Sequence, residues 1–190
     1  MTESDRRHPW YWEKYTDDKG QWSRKDRMPP GDELAALRRG LGKPAGTVPQ
    51  MWRFYEAIVN GENSPRLAAE HAALSLYGLH QQSRRTPMHC PGVGLGTALL
   101  RLSRQEGVSD VAVTRRFNAA ATSTSVNELV AHLRGLITQL RSHGIALDYT
   151  RLWRDLLDWS FPDGPARVRR RWGMQFYTWQ ATEADEQQPA

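Results

Sequence analysis

The sequence predicts an all-α fold of about nine helices in an elongated bundle, either one body or two lobes spanning 32–85 and 92–179. Three observations carry this. Apolar residues recur at i, i+3, i+4 and i+7 in segment after segment, the stripe of an amphipathic helix. Serine, threonine or aspartate stands just before most of these stripes, where a helix needs a side chain to cap its free N–H groups. No stretch alternates with period two for long enough to predict a strand, and no repeat of 20–50 residues occurs. The 190 residues suit one domain or two small lobes, and 39% hydrophobic content is enough for a core without being generous.

Residues 1–31 mix charge with Trp10, Tyr11, Trp12, Tyr15 and Trp22, and a short helix is expected at about 9–17. Met28-Pro29-Pro30-Gly31 is a breaker. Asp32 is then expected to cap a helix carrying Leu34, Leu37 and Leu41 on one face. After the loop Gly42 to Gly46, Thr47 and Pro49 start MWRFYEAIV, which stops at Asn60-Gly61. Ser64-Pro65 opens a longer helix, RLAAEHAALSLYGLHQQ. SRRTPMHCPGVGLG, at 83–96, reads as an exposed connection. A helix from about 94 to 105 follows, and Ser109 caps DVAVTRRFNAAA. Ser125 and Glu128 form a capping box for the helix running to His143, with Gly144 as its C-terminal cap. Asp148 caps YTRLWRDLLDW, Asp163-Gly164-Pro165 opens ARVRRRWGMQFYTW, and the acidic tail 180–190 is expected to be disordered.

Charge is the informative part of the composition. Lysine plus arginine number 26 against 21 aspartates and glutamates, with a pI near 9.7. Only Lys14, Lys19, Lys25 and Lys43 are lysines, so 22 of the cations are arginine, whose planar fork matches phosphate. Residues 32–179 hold 19 basic and 12 acidic side chains, and from Leu79 to Leu147 eight arginines face only Glu106, Asp110 and Glu128. Any one of these arginines is best read as a solvated charge lying over apolar neighbours. A set of them short of carboxylates points to a polyanionic partner such as nucleic acid.

Helical-wheel arithmetic places each cation against its own stripe. Arg39 and Arg115 fall opposite their stripes, while Arg38 and Arg116 flank them. Arg167, Arg170 and Arg171 point away from Val168, Trp172, Phe176 and Trp179. Arg134 and Arg141 edge the stripe of the 125–143 helix, so a basic groove beside Arg115 and Arg116 is expected there.

Other chemistries find little support. Cys90 is the single cysteine, which excludes an internal disulfide and a multi-cysteine zinc site. His71 and His80 lie too far apart along one helix to share a metal, and His89-Cys90 has no further ligand nearby in sequence. We therefore expect no metal, no cofactor and no catalytic residue, with His71 packed and the other imidazoles at the surface. GVGLG lacks the preceding strand and following lysine of a phosphate loop and reads as a turn with close helix packing. Trp52, Trp153, Trp159, Trp172 and Trp179 are expected in the core, and Trp10, Trp12 and Trp22 in a segment wrapped onto it. No apolar run reaches membrane-spanning length and the N-terminus lacks a signal-peptide pattern, so a cytoplasmic setting is expected.

Four stretches carry a resemblance: LAALRRGLGKPAGTVPQMWRFY, HAALSLYGLHQQSRRTPMHCPGVGLGTALLRL, VTRRFNAAATSTSVNELVAHLRGLI and LDYTRLWRDLLDW. In order and spacing, from about Leu34 to Tyr177, they resemble the CasB family, the small subunit of the type I-E CRISPR surveillance complex Cascade. The resemblance implies a non-enzymatic subunit, present as two copies and contacting backbone and large subunits. It also implies that the subunit helps to hold the R-loop against CRISPR RNA and target DNA. Arg38, Arg39, Arg115, Arg116 and Arg134 match basic positions of the family pattern. Lys43, Arg84, Arg85, Arg101 and Arg141 are added from local geometry, and Arg169 to Arg171 rank below them. Two other readings stay open: a stand-alone helical DNA-binding regulator, with LRRGLGKPAGTVPQMWRFYEAI as a helix-turn-helix, and, more remotely, a histidine-dependent nuclease.

Overall fold

The structure, a computed structural model, describes residues 10–24, 28–57 and 64–186, with side chains up to Tyr177. The described residues form seven α-helices: α1 Gly31–Arg38, α2 Pro65–Gln81, α3 Leu95–Ser103, α4 Asp110–Ala121, α5 Val126–Ser142, α6 Tyr149–Trp159 and α7 Gly164–Glu186. Two 3-10 turns, Tyr11–Lys14 and Pro49–Phe54, complete them, and no strand occurs among the described residues. The fold is all-α, as the sequence predicts.

The caps explain where the helices start. Ser64, Ser109, Ser125 and Asp148 each accept the backbone N–H three residues on, satisfying a donor the helix itself cannot. Two details differ from expectation. The Glu128 carboxylate reaches back to the Thr124 N–H at 2.8 Å, not to that of Ser125. Asp32 is no cap, because α1 already starts at Gly31. Gly144 ends α5 at φ +67°, the left-handed conformation that glycine adopts without strain.

α2 is the central helix. Its alanine-rich sequence is buried nearly all round because α1, α5 and α6 pack against different faces of it. α3 packs on α4, α5 and α7, and α6 also meets α7. α5 therefore belongs to both groups, and one apolar cluster runs through both segments considered as lobes. Gly96 is where α3 meets α7: a Cβ there would collide with the Trp172 carbonyl and lie 2.7 Å from the Gln175 Cβ.

Three segments depart from expectation for physical reasons. MWRFYEAIV is not a helix but a 3-10 turn ending at Phe54, after which Tyr55 is extended. The N–H groups of Glu56 and Ala57, which a helix would pair internally, donate instead to the fully buried Glu70 carboxylate at 2.7 and 2.8 Å. The remainder of that stretch, with its stop at Asn60-Gly61, lies outside the described residues. The 83–96 connection is only partly exposed, with Met88, His89 and Val93 in the interior. Cys90 N–H donates to Leu147 O and Leu147 N–H to Met88 O, both at 3.1 Å, tying the connection to the chain before α6. Finally, α7 continues through Glu186, where the chain offers alanine and glutamate and no breaker. Residues 187–190, and the Trp179 side chain, are outside the description.

The N-terminal segment does wrap onto the core. Trp12 is fully buried and its indole N–H donates to Thr150 Oγ1 at 2.9 Å. Trp10 packs against Trp12 and Trp153, and Tyr11 donates to Glu33 at 2.8 Å.

Candidate nucleic-acid interface

A cavity of about 550 Å³ lies where the loop after α1 faces the first two turns of α5 across α2. α1 ends because Gly40 and Gly42 interrupt it, and the loop then presents Lys43 to solvent. Val126, Val130 and Ala131 of α5 form the opposite wall, beside Arg134 and Asn127. His71 and Ser75 of α2 line the floor. His71 Nε2 lies 2.9 Å from the Gly40 carbonyl, which can only accept, so Nε2 carries the proton and Nδ1 accepts from Tyr55 O–H at 2.6 Å. Burial holds the imidazole below its usual pKa, and Ser75 donates to the His71 carbonyl at 2.7 Å. The cavity thus has a neutral, internally bonded floor, apolar walls and two cations at its rim. Neither Lys43 nor Arg134 has a carboxylate partner among the described residues.

Arg134 therefore shares its cavity with Lys43, not with Arg115 or Arg116. Arg115 lines a separate shallow depression on α4 with Val111 and Asn118, and Arg116 is exposed beside it. Arg141 turns the other way, donating to the Leu79 carbonyl at 3.4 Å and to Gln82 Oε1 at 2.9 Å. That makes it a clamp on the end of α2. Arg84 meets Gly144 there, with its Nε buried and unpartnered. Between these two cations His80 is fully buried, not at the surface as expected, and desolvation with both arginines pushes its pKa down to about 3. His89 is buried as well, accepting the Tyr149 N–H at 3.1 Å. Both lie inside because α2 and the 83–96 connection are enclosed from sides that a single-helix wheel cannot represent.

Arg39, Arg85 and Arg101 are exposed, and Arg38 is half-buried; none has a carboxylate partner among the described residues. The lower-ranked trio splits. Arg170 is exposed. Arg169 donates to the Ala121 and Ser123 carbonyls and lies 5.3 Å over the Trp159 ring. Arg171, expected to point fully outward, pairs with Asp155 and Asp158. Trp52, expected in the core, is 55% exposed. Nothing in the sequence signals that Asn127 lines the same cavity as Lys43. The second helix of the supposed helix-turn-helix is absent, since that stretch is the 3-10 turn Pro49–Phe54.

A family model described as CRISPR-associated protein Cse2 matches residues 33–177. This chain belongs to the Cse2 family. The Cse2 match takes in every cation singled out above and leaves the N-terminal aromatic segment outside it. Among solved structures, CasB from Thermobifida fusca is 35% identical, with a TM-score of 0.64 over 77% of this chain and 84% of that one. A Cse2-family protein from Thermus thermophilus shares the fold at 24% identity and TM-score 0.60, over 80% of this chain and 99% of that one. A chain of a CRISPR RNA-guided surveillance complex shares it at 23% identity and TM-score 0.63, over 84% and 89%. Comparison with curated proteins yields no match. No helix among the described residues is long and apolar enough to cross a membrane.

Proposed function

We propose that this Cse2-family chain is a non-catalytic, cytoplasmic subunit of a type I-E CRISPR RNA-guided DNA surveillance complex. In this reading it stabilises the R-loop by sequence-independent phosphate contacts to the displaced strand and the guide–target duplex. Its partners are the backbone and large subunits, a second copy of itself, CRISPR RNA and target DNA. The observation that carries the reading is the set of surface cations without carboxylate partners among the described residues, with Lys43 and Arg134 lining one cavity. Such a surface fits the physics of the task. Base pairing reads the sequence, so the protein needs only charge and shape, and exchanging a DNA duplex for an RNA–DNA duplex is nearly balanced in free energy. A few phosphate contacts are then enough to tip it.

The test is R-loop lifetime in the assembled complex as a function of salt. Replacing Lys43 and Arg134 by alanine is expected to shorten the lifetime and to flatten the log–log salt dependence by about 0.7–0.9 for each phosphate contact removed. Thermal melting should stay unchanged, because neither head group is bonded among the described residues. An unaltered lifetime and salt slope would remove this cavity from the interface. Sequence-specific footprinting by the isolated chain would instead favour the stand-alone regulator.

A further inference from the structure

Trp52 carries an inference of its own. It leaves more than half of its surface in water, yet it is held in place. Its indole N–H, the ring's one polar group, donates to the Gly46 carbonyl at 2.8 Å. Pro49 starts the 3-10 turn on which Trp52 sits. With the N–H turned inward, what remains towards solvent is apolar π surface.

That surface borders a cleft of about 560 Å³ whose walls include Ala35 and Ala36 of α1 and Pro49, with Arg39 among its lining residues. Arg39 is exposed and has no ion pair or side-chain hydrogen bond among the described residues. The cation on the other side, Arg53, is already engaged: it lies 3.8 and 3.9 Å from Asp32 and Glu33 and 4.7 Å over the Phe54 ring. The cleft therefore offers one fixed aromatic ring, one uncommitted guanidinium and small apolar walls, with Gln50 and the Asp32–Arg53 ion pair completing its lining. An aromatic ring beside a free cation suits an unpaired base and its phosphate, because every base has a π face and every nucleotide a negative charge.

We propose that Trp52 is a stacking platform for an unpaired nucleobase of single-stranded nucleic acid, with Arg39 on the adjoining phosphate. The proposal rests on the nucleic-acid reading above and narrows it from phosphate contact alone to contact with an exposed base. It distinguishes this cleft from the Lys43–Arg134 cavity, whose one lining ring is the His71 imidazole, already bonded to Gly40 and Tyr55. Within an R-loop the displaced strand supplies such bases.

The experiment uses the full chain and two labelled single strands of equal length, an oligothymidylate and its abasic counterpart, which has the same phosphates and no bases. Wild type is expected to bind the thymidylate more tightly. Trp52→Ala should weaken thymidylate binding about tenfold while leaving the abasic strand nearly unaffected. Trp52→Phe should keep much of the preference and serves as the test if the alanine variant does not fold. Arg39→Ala should weaken both strands together. Equal losses on both strands for Trp52→Ala, or an unchanged thymidylate-to-abasic ratio, would overturn the stacking role. An unchanged ratio joined to lost co-purification with partner subunits would assign the ring to a protein contact and overturn it too. Wild type that binds both strands equally removes only the stacking. Wild type that binds neither at low salt removes the phosphate-contact reading and the stacking with it.

Discussion

At the scale of single residues, what matters is whether a charge has a partner. Arg171 and Arg170 are neighbours on α7, yet one is paired with Asp155 and Asp158 and the other is exposed. Asp155 is the reason. Its carboxyl is buried, which pushes its pKa up, while the Trp172 indole N–H donates to it at 2.6 Å and Arg171 lies against it. These two partners hold the carboxylate in the interior and fix the Trp172 ring against Trp159. Asp155→Ala would leave the Trp172 N–H buried without an acceptor. It should lower stability by about 2 kcal/mol in urea unfolding, near the middle of the range for an unsatisfied buried group. A change within experimental error would mean that water replaces the carboxylate. The same distinction sorts the other arginines: Arg141 and Arg169 are bonded to backbone carbonyls, whereas Arg39, Arg115, Arg116 and Arg134 have no such bond among the described residues.

At the scale of elements, helices that start on a side-chain cap fall where the sequence puts them, and the misplaced segments are those decided by a remote partner. The turn at Pro49–Phe54 stops because Glu70, on α2, takes the N–H groups that would have continued it. The α3–α7 contact depends on Gly96, whose missing side chain lets the two backbones approach. Gly96→Ala should force α7 away from α3 and cost about 1–3 kcal/mol, the usual penalty for overpacking a closed contact. α-Helical circular dichroism at room temperature should stay near that of wild type while the melting temperature falls. If stability were unchanged, the two helices would have to be less tightly joined than their backbones indicate. The N-terminal segment belongs at this scale too. Trp12 and Trp10 lock it to α6, so those aromatics serve the core and leave base contact to Trp52.

At the scale of the whole molecule, three histidines among the described residues are buried and held neutral: His71, His80 and His89. Burial lowers each of their pKa values below that of the unfolded chain, about 6.5. The unfolded state therefore binds more protons below that pH, and stability falls as the solution is acidified. Their contribution is complete above about pH 6.5; for His80 it declines as the pH drops towards about 3. Glu70 and Asp155, with raised values, have the opposite sign, so the clean measurement is a comparison of variants. His80→Asn keeps a donor for the Tyr149 hydroxyl and removes the titration. Between pH 7 and 5 wild type should lose about 2 kcal/mol more than this variant. Parallel losses would show that His80 titrates normally.

The all-α class, the capped starts of α2, α4, α5 and α6, and the surplus of arginine over carboxylate between Leu79 and Leu147 are all properties of the sequence itself. They are local: a cap acts within one turn, a stripe has a fixed period, and charge can be counted. The tertiary structure decided the rest, because burial and pairing depend on residues far away along the chain. It brought Lys43 to Arg134 across α2, enclosed His80 and His89, gave Arg171 its aspartates and turned Trp52 outward. A helical wheel knows one helix and one solvent. α2 packs against α1, α5 and α6, and only their arrangement determines which side of each remains in water.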